Sequence, residues 1–576
     1  MTKNQSLICT VIVVLAGIML LGMAIRPLFV PHLTGTADGF AHKYRLVNFH
    51  QSLSEGTLRP RWAGNAVLGY GAPLYIFNYS VPYYLVDAFY RIGFTINTAA
   101  QIYAALTIII SFLCMYALAA LLWGRWAGVV AGLVYTFAPY HLFTVYSYEA
   151  WGEMLAFVFP PLLLFLLFSA SRTKPSHKIA IHAWFTTTII AWVLFILTHN
   201  ISSFITSPVI VLFGLIACKN DKIKLLYLVK IILLVILISC FFTLPAFTLT
   251  DTIKIPALLT KEIALRKIYM IPVMEQIKTS WSVIMGQDII YKEFTVGIPI
   301  VGALFAGLFS LVFSRTRKQM NPFVLSVLGI LMLSLFFVDP LSDVFYAFRP
   351  LQYVLYPYRF LFLATFAGSL IAGCLLRKHL LVGIFFVIVT VMAGYPFAHP
   401  YMDIFLFPRS FFSQPQMLGF AVPTLKTMGI AEFLPATADI NFLVNEEQRY
   451  LTQGTLPEKF ILPPDSGSVV RSSVKQESLS ATIQAGRNLR LTVSTLYYPN
   501  WTASIDGKHV PISHDTFGRI TLDVPAGTHD IRLRFGYSTI EKLGWSISAA
   551  GIVLFLLFLT YPRIIHEAIV KCIRPK

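Results

Sequence analysis

Long apolar runs, broken by short basic loops, recur along most of this chain and constrain its fold more than any other feature. A run of about 17–25 apolar residues spans a bilayer as a helix. Lipid-exposed backbone must satisfy its own hydrogen bonds, so many such runs mean a bundle of helices. About twelve runs meet that yardstick, near 7–29, 99–122, 127–144, 153–170, 179–197, 202–217, 225–246, 296–314, 323–338, 358–376, 380–397 and 544–562. The expected fold class is a polytopic α-helical membrane protein. Only 12 % of the 576 residues are charged, against about 25 % in soluble proteins, and mean hydropathy is +0.70.

The net charge of +18 does not imply nucleic acid as a partner. Much of the basic charge sits in alternate short loops, where it sets topology. Arg125, Arg172/Lys174/Lys178, Lys219/Lys222/Lys224, Arg315/Arg317/Lys318, Arg377/Lys378 and the tail Arg563–Lys576 share one side, expected to be cytoplasmic. The 31–98 loop, the 140–152 turn, His199-Asn200, the loops 247–295 and 339–357, and the segment 398–543 then fall outside. The first run lacks a clear small-residue cleavage site and is read as a retained helix. The six cysteines form no CxxC pair, so neither a disulfide framework nor a zinc site is expected.

Three regions follow: 1–397, a transmembrane domain; 398–543, an extracytoplasmic segment; and 544–576, a final span with a basic tail. Within the second, from about 467 to 538, short alternating runs such as Leu489–Ser494 and Arg519–Val524 are separated by turn residues at Asp506-Gly507 and Pro525–Gly527. That pattern predicts a small antiparallel β-sandwich.

Polar residues able to do chemistry gather in the outer segments. If Gly39 to Leu53 is helical, Asp38, His42 and Arg45 fall at i, i+4 and i+7, on one face. The plainest role for Asp38 is a helix N-cap, for Arg45 and Arg359 interfacial anchoring, and for His42 and His199 polar packing. The alternative is one carboxylate to deprotonate an acceptor hydroxyl beside cations that hold a phosphate. Arg61 follows Arg59 in the same loop. Glu149 and Glu153 are four apart and, if helical, share a face. His199-Asn200 closes the fifth run, and Arg359 opens the tenth, where a guanidinium suits phosphate geometry.

The stretch Asp38-Gly-x-x-His42-x-x-Arg45, Pro60-Arg61-Trp62 and Gly69-x-Gly71-x-Pro73 resembles the first outer loop of a bacterial membrane-protein family. That family is labelled 6-pyruvoyl-tetrahydropterin-synthase-related, although nothing here suggests pterin chemistry. Glu153-Met-Leu-Ala, Thr198-His199-Asn200, Gln352…Tyr356-Pro-Tyr358-Arg359 and Glu432-Phe-Leu-Pro435 extend the match. The tail Tyr497-Tyr-Pro-x-Trp501…Asp506-Gly507 resembles the β-domain of related proteins that glycosylate cell-envelope polymers. Both groups resemble the GT-C glycosyltransferases.

The resemblance implies an inverting transfer of sugar from a polyprenyl-phosphate donor to a glycan, lipid or protein acceptor, on the outer face of the cytoplasmic (inner) membrane. Asp38 is then the base or a metal ligand. His42, Arg45, Arg61, His199, Asn200 and Arg359 meet substrate. Glu153 orients sugar hydroxyls or shares a divalent cation, Mg or Mn, with Asp38. The rivals are a transporter of lipid-linked sugars, disfavoured because the polar groups gather on one side rather than at the midplane, and a non-catalytic assembly protein.

Overall fold

The computed structural model describes residues 15–29, 36–172, 178–255, 266–285, 294–313, 322–399 and 431–560. The start of the first run, the loop residues Lys174, Lys261, Arg315, Arg317 and Lys318, the stretch 400–430 and the tail from 561 lie outside the described residues.

Every expected span corresponds to a helix or a helix pair. Among the described residues, seven helices can cross a membrane by length and composition, or nine if two bent pairs each count as one span. Shorter apolar helices, Leu15–Leu28, His182–Thr198 and Gly297–Val312, take the remaining places. Large apolar side chains such as Phe309, Val312, Leu381 and Phe385 point outward and stay exposed, as the lipid-facing side of a bundle requires. The protein is a polytopic helical membrane protein with a C-terminal β-domain.

Proline places both bends. A residue before proline is pushed out of the helical region. Ala138 (ψ 128°) precedes Pro139, and Asp339 (ψ 141°) precedes Pro340. The helix pairs that follow turn by 46° (Arg125–Phe137 with Pro139–Tyr148) and 88° (Pro322–Val338 with Pro340–Ala347). The first bend carries Tyr140, Tyr148 and Glu149 away from the line of the third span.

The last helix, Thr539–Thr560, packs along Lys222–Thr248. Small residues permit the close approach: a Cβ on Gly544 would stand 2.7 Å from the Cys240 carbonyl, and one on Gly551 2.8 Å from Leu237 Cβ. Pro245 cannot donate to the carbonyl four residues back, which frees the Phe241 oxygen. Arg59 donates to it at 3.1 Å and lies over the Phe241 and Trp545 rings.

The β-domain consists of β1 (Phe460–Ile461), β2 (Gly467–Val474), β3 (Ser478–Ala485), β4 (Leu489–Leu496), β5 (Trp501–Ile505), β6 (Lys508–Val510), β7 (Ser513–His514), β8 (Arg519–Val524) and β9 (Gly527–Phe535). Two antiparallel sheets, ordered β1-β4-β8-β7 and β2-β3-β9-β5-β6, form a sandwich. Ile483, Leu491, Val493, Ile520, Ile531 and Leu533 fill its interior. Asp506 (φ 50°) and Gly507 (φ 81°) turn the β5–β6 hairpin through left-handed conformations, the geometry that Asp-Gly favours. Helix Ile440–Gln453 precedes the strands, capped by Asp439 at one end and a left-handed Gly454 at the other.

Candidate active site

The helix Gly39–Ser54 sets the frame. Asp38 occupies its N-cap position, but the carboxylate makes no capping bond. The Gly39 amide turns instead to Thr36 Oγ1 at 3.2 Å. The plain reading of Asp38 as a helix cap does not hold: Thr36 serves the helix end and the Asp38 carboxylate makes no capping bond. Backbone bonds Ala37 N–Ser147 O (3.0 Å) and Asp38 N–Tyr148 O (2.9 Å) pin this entry against the bent third span.

Glu149 completes that junction. The chain passes through it in a left-handed conformation, φ 53°, between the turn Thr144–Tyr148 and the helix Trp151–Ala156. Its carboxylate accepts from Lys43 Nζ at 2.5 Å, Thr36 Oγ1 at 2.8 Å and Trp151 Nε1 at 3.3 Å. A side chain on Gly39 would collide with it. Glu149 and Glu153 do not share a helical face, because the left-handed residue breaks the helix between them. Glu153 is buried and accepts from the Tyr140 hydroxyl at 2.8 Å.

Around Asp38 the fold assembles groups from four distant segments. His42, 2 % exposed, stacks on Trp151 at 5.3 Å, and its Nδ1 is hydrogen-bonded to the Tyr83 hydroxyl at 2.9 Å. His199 caps the helix Asn200–Cys218 by accepting the Ser202 amide at Nδ1. The neutral ring therefore carries its proton on Nε2, as a donor. Tyr79 packs edge-on to His199 at 5.5 Å and accepts from the Gly152 amide. Asn200 Oδ1 accepts the Ile201 amide at 3.1 Å.

Arg359 sits in the turn Pro357–Phe360, over the Tyr356 ring at 4.9 Å, and donates to the Val354 carbonyl at 2.7 Å. The Tyr148 and Tyr358 hydroxyls meet at 3.0 Å. Arg45 lies 5.9 Å from the Phe433 ring, within the field of Glu432.

Burial raises the Asp38 pKa above the usual carboxylate value. The Arg45 and Arg359 charges oppose that shift, and the Glu149 charge adds to it. Burial drives His42 well below the usual imidazole value, with Arg45 and Lys43 adding to the effect, so the ring is neutral. Glu153 lies in the field of both Arg359 and Asp38. Asp38, His42, Arg45, Glu153, His199 and Arg359 thus form one neighbourhood.

Arg61 does not join it. The residue expected to meet substrate is 3 % exposed and committed to the β-domain. It donates to Glu477 Oε2 at 2.8 Å and to the carbonyls of Gly536 (2.7 Å) and Phe535 (2.9 Å), and faces Glu541 Oε1 at 3.5 Å. Its partners lie more than 400 residues downstream and leave no local trace in the sequence. Sequence reasoning also missed Tyr79, Tyr83, Tyr148 and Tyr358. The stretch Asn78-Tyr79-Ser80-Val81-Pro82-Tyr83-Tyr84, crowded with hydroxyls beside an apolar bundle, was the available signal.

Among the described residues no group of three or more His, Cys, Asp or Glu is placed to hold a metal ion. Glu149 accepts from Lys43 and Thr36, and Glu153, one of the two residues expected to share a divalent cation with Asp38, accepts from Tyr140.

No protein-family model matches the chain, and no curated protein sequence does. The family label suggested by the motifs has no model match behind it. Among solved structures, the chain is similar to the Archaeoglobus fulgidus oligosaccharyltransferase, crystallised with zinc and sulfate. Identity is 13 %, coverage is 67 % of this chain and 53 % of that one, and the TM-score is 0.40. The chain thus spans about half the length of that enzyme. It is also similar to ArnT from Cupriavidus metallidurans. With undecaprenyl phosphate bound, the figures are 11 % identity, 80 % and 96 % coverage and a TM-score of 0.29. In the apo state they are 12 %, 81 % and 96 %, and 0.32.

Proposed function

We propose that this protein is a GT-C-like, inverting membrane glycosyltransferase that moves a sugar from a polyprenyl-phosphate donor to a cell-envelope acceptor. The observation that carries the reading is a carboxylate free of any capping bond, Asp38, in the field of two guanidiniums, Arg45 two turns along its own helix and Arg359 from a distant segment. Asp38 takes the proton of the acceptor hydroxyl as its oxygen attacks the anomeric carbon. The bond from that carbon to the phosphate oxygen breaks, and polyprenyl phosphate leaves. Arg45, Arg359 and the Nε2 donor of His199 stabilise the negative charge growing on the phosphate. His42 holds Tyr83 in place beside Arg45. Glu153 and Asn200 orient sugar hydroxyls. No step is routed through a metal. The active site and the β-domain face outward from the cytoplasmic membrane, as the basic loops imply.

The deciding experiment incubates purified protein in detergent with a polyprenyl-phosphate sugar and an envelope glycan acceptor. Release of free polyprenyl phosphate in step with glycosylated acceptor supports the reading. Intact donor overturns it, and movement of that donor across vesicles would mark a transporter instead.

Glu149 acts in this reading as a positioning residue. Its charge raises the Asp38 pKa, so Glu149→Gln is expected to move the acidic limb of the transfer pH profile to lower pH. Glutamine keeps one acceptor oxygen for Lys43, and its amide nitrogen can donate to Thr36 Oγ1 in place of the second carboxylate oxygen. A merely structural role would lower the yield of folded protein and leave the limb in place.

A further inference from the structure

The outward face of the five-stranded sheet carries an ordered array that the transfer chemistry does not use. Residues paired across antiparallel strands point to the same side of the sheet. One row runs across all five strands: Ser473, Ser480, Arg532, Ser504, His509. The next row is Ser478, Arg534, Thr502, and a third is Arg471, Thr482, Asp530. The opposite side of the central strands β3 and β9 is apolar and buried, with Leu479, Ala481, Ile531 and Leu533.

Each of the central arginines is thus flanked on both sides by hydroxyls from neighbouring strands. Arg532 and Arg534 are exposed, and among the described residues neither makes an ion pair or a side-chain hydrogen bond. They stand about 6.8 Å apart along β9, with strands about 4.8 Å to either side. The one acid in the rows, Asp530, is already engaged by Thr482 at 2.6 Å and Arg471 at 3.8 Å. The face therefore presents unspent positive charge within a lattice of hydroxyl donors and acceptors. No large apolar side chain stands within these rows; the exposed apolar residues Val469, Val470 and Val474 lie on the edge strand β2. An extended chain bearing both anions and hydroxyls matches it on both counts, since guanidiniums pair with carboxylate or phosphate and serine and threonine both donate and accept.

We propose that this face binds an anionic glycan, a polysaccharide bearing carboxylate or phosphate groups, and does so separately from the transfer site. The inference does not rest on the transferase reading, because binding is measured without donor. The experiment titrates detergent-purified full-length protein, and its Arg532→Gln/Arg534→Gln variant, with polygalacturonate, phosphomannan, neutral dextran and poly-glutamate, and with phosphatidylglycerol vesicles. Both side chains point into solvent, so the variant should fold as the parent does.

The expected result is binding of polygalacturonate or phosphomannan that weakens roughly tenfold in the variant, the scale of two exposed charge pairs, with dextran much weaker. The two anionic glycans tell carboxylate from phosphate. Equal binding by variant and parent would overturn the proposal. So would poly-glutamate binding as tightly as polygalacturonate, which would make the hydroxyl rows irrelevant. Vesicle binding lost on the same substitutions, with no glycan binding, would assign the face to the membrane surface.

Discussion

Asp38→Asn is expected to cut sugar transfer by about 10²–10⁴-fold, the value of a positioned general base, while the folded protein survives heating at least as well as the parent. The two halves of that result have one cause. Burial penalises the charged carboxylate and raises its pKa, so the ionised acid is held in the fold at a cost. Replacing it with a neutral isostere removes that cost. The gain should be full at pH above the raised pKa. It should fade as pH falls through that value toward the ordinary carboxylate range, where aspartate is itself protonated. A helix cap would behave otherwise. Asparagine would keep activity, and Asp38→Ala would lose about 0.5–2 kcal/mol. Parallel transfer assays and thermal melts of the Asn and Ala variants separate the two. Near-normal transfer by Asp38→Asn would end the catalytic role.

Arg61→Ala should be the most damaging single change to stability, at about 3–5 kcal/mol, the scale for breaking a buried ion pair from one side. The substitution would leave the charge of Glu541, which is 0 % exposed, with its hydrogen bonds from Asn500 and Ser538 but without its cation, and leave Glu477 with one partner fewer. It would also remove a cation stacked 3.7 Å from the Tyr537 ring. The readout is thermal unfolding together with protease sensitivity of the 454–539 region. Adding Glu541→Gln to Arg61→Ala should recover part of the loss, since the stranded charge is then gone. No change in either measure would reduce Arg61 to a surface contact.

The helical bundle was legible because hydropathy is a local signal: twenty apolar residues read as a span wherever they sit. The helix Gly39–Ser54 was read conditionally from the spacing of Asp38, His42 and Arg45, and the structure forms it. What could not be read were facts set by tertiary neighbours. Thr36 displaces Asp38 from the cap, a choice made by backbone bonds to residues 147 and 148. Glu149 was expected in register with Glu153, but one left-handed residue breaks the helix between them. The β-sandwich showed itself in strands with a clear inside and outside. β2, exposed at all eight positions, has no inside and so no alternation. Arg61 was misread because its acidic partners are remote in the chain.

That remoteness has a consequence for how the protein is made. The loop that carries Asp38 is also the seat of the β-domain. Arg61 waits for Glu477, 416 residues on, and for the Gly536 carbonyl, 475 residues on. At roughly 5–20 residues per second, about 20–80 s pass after the amino-terminal loop is made before its first acidic partner is made. Until then a guanidinium that will end in the interior must stay in water. A chain stopped before the β-domain leaves Arg61 without Glu477 or the Phe535 and Gly536 carbonyls. Completion of the carboxyl-terminal domain is in this sense the last step in building the amino-terminal one.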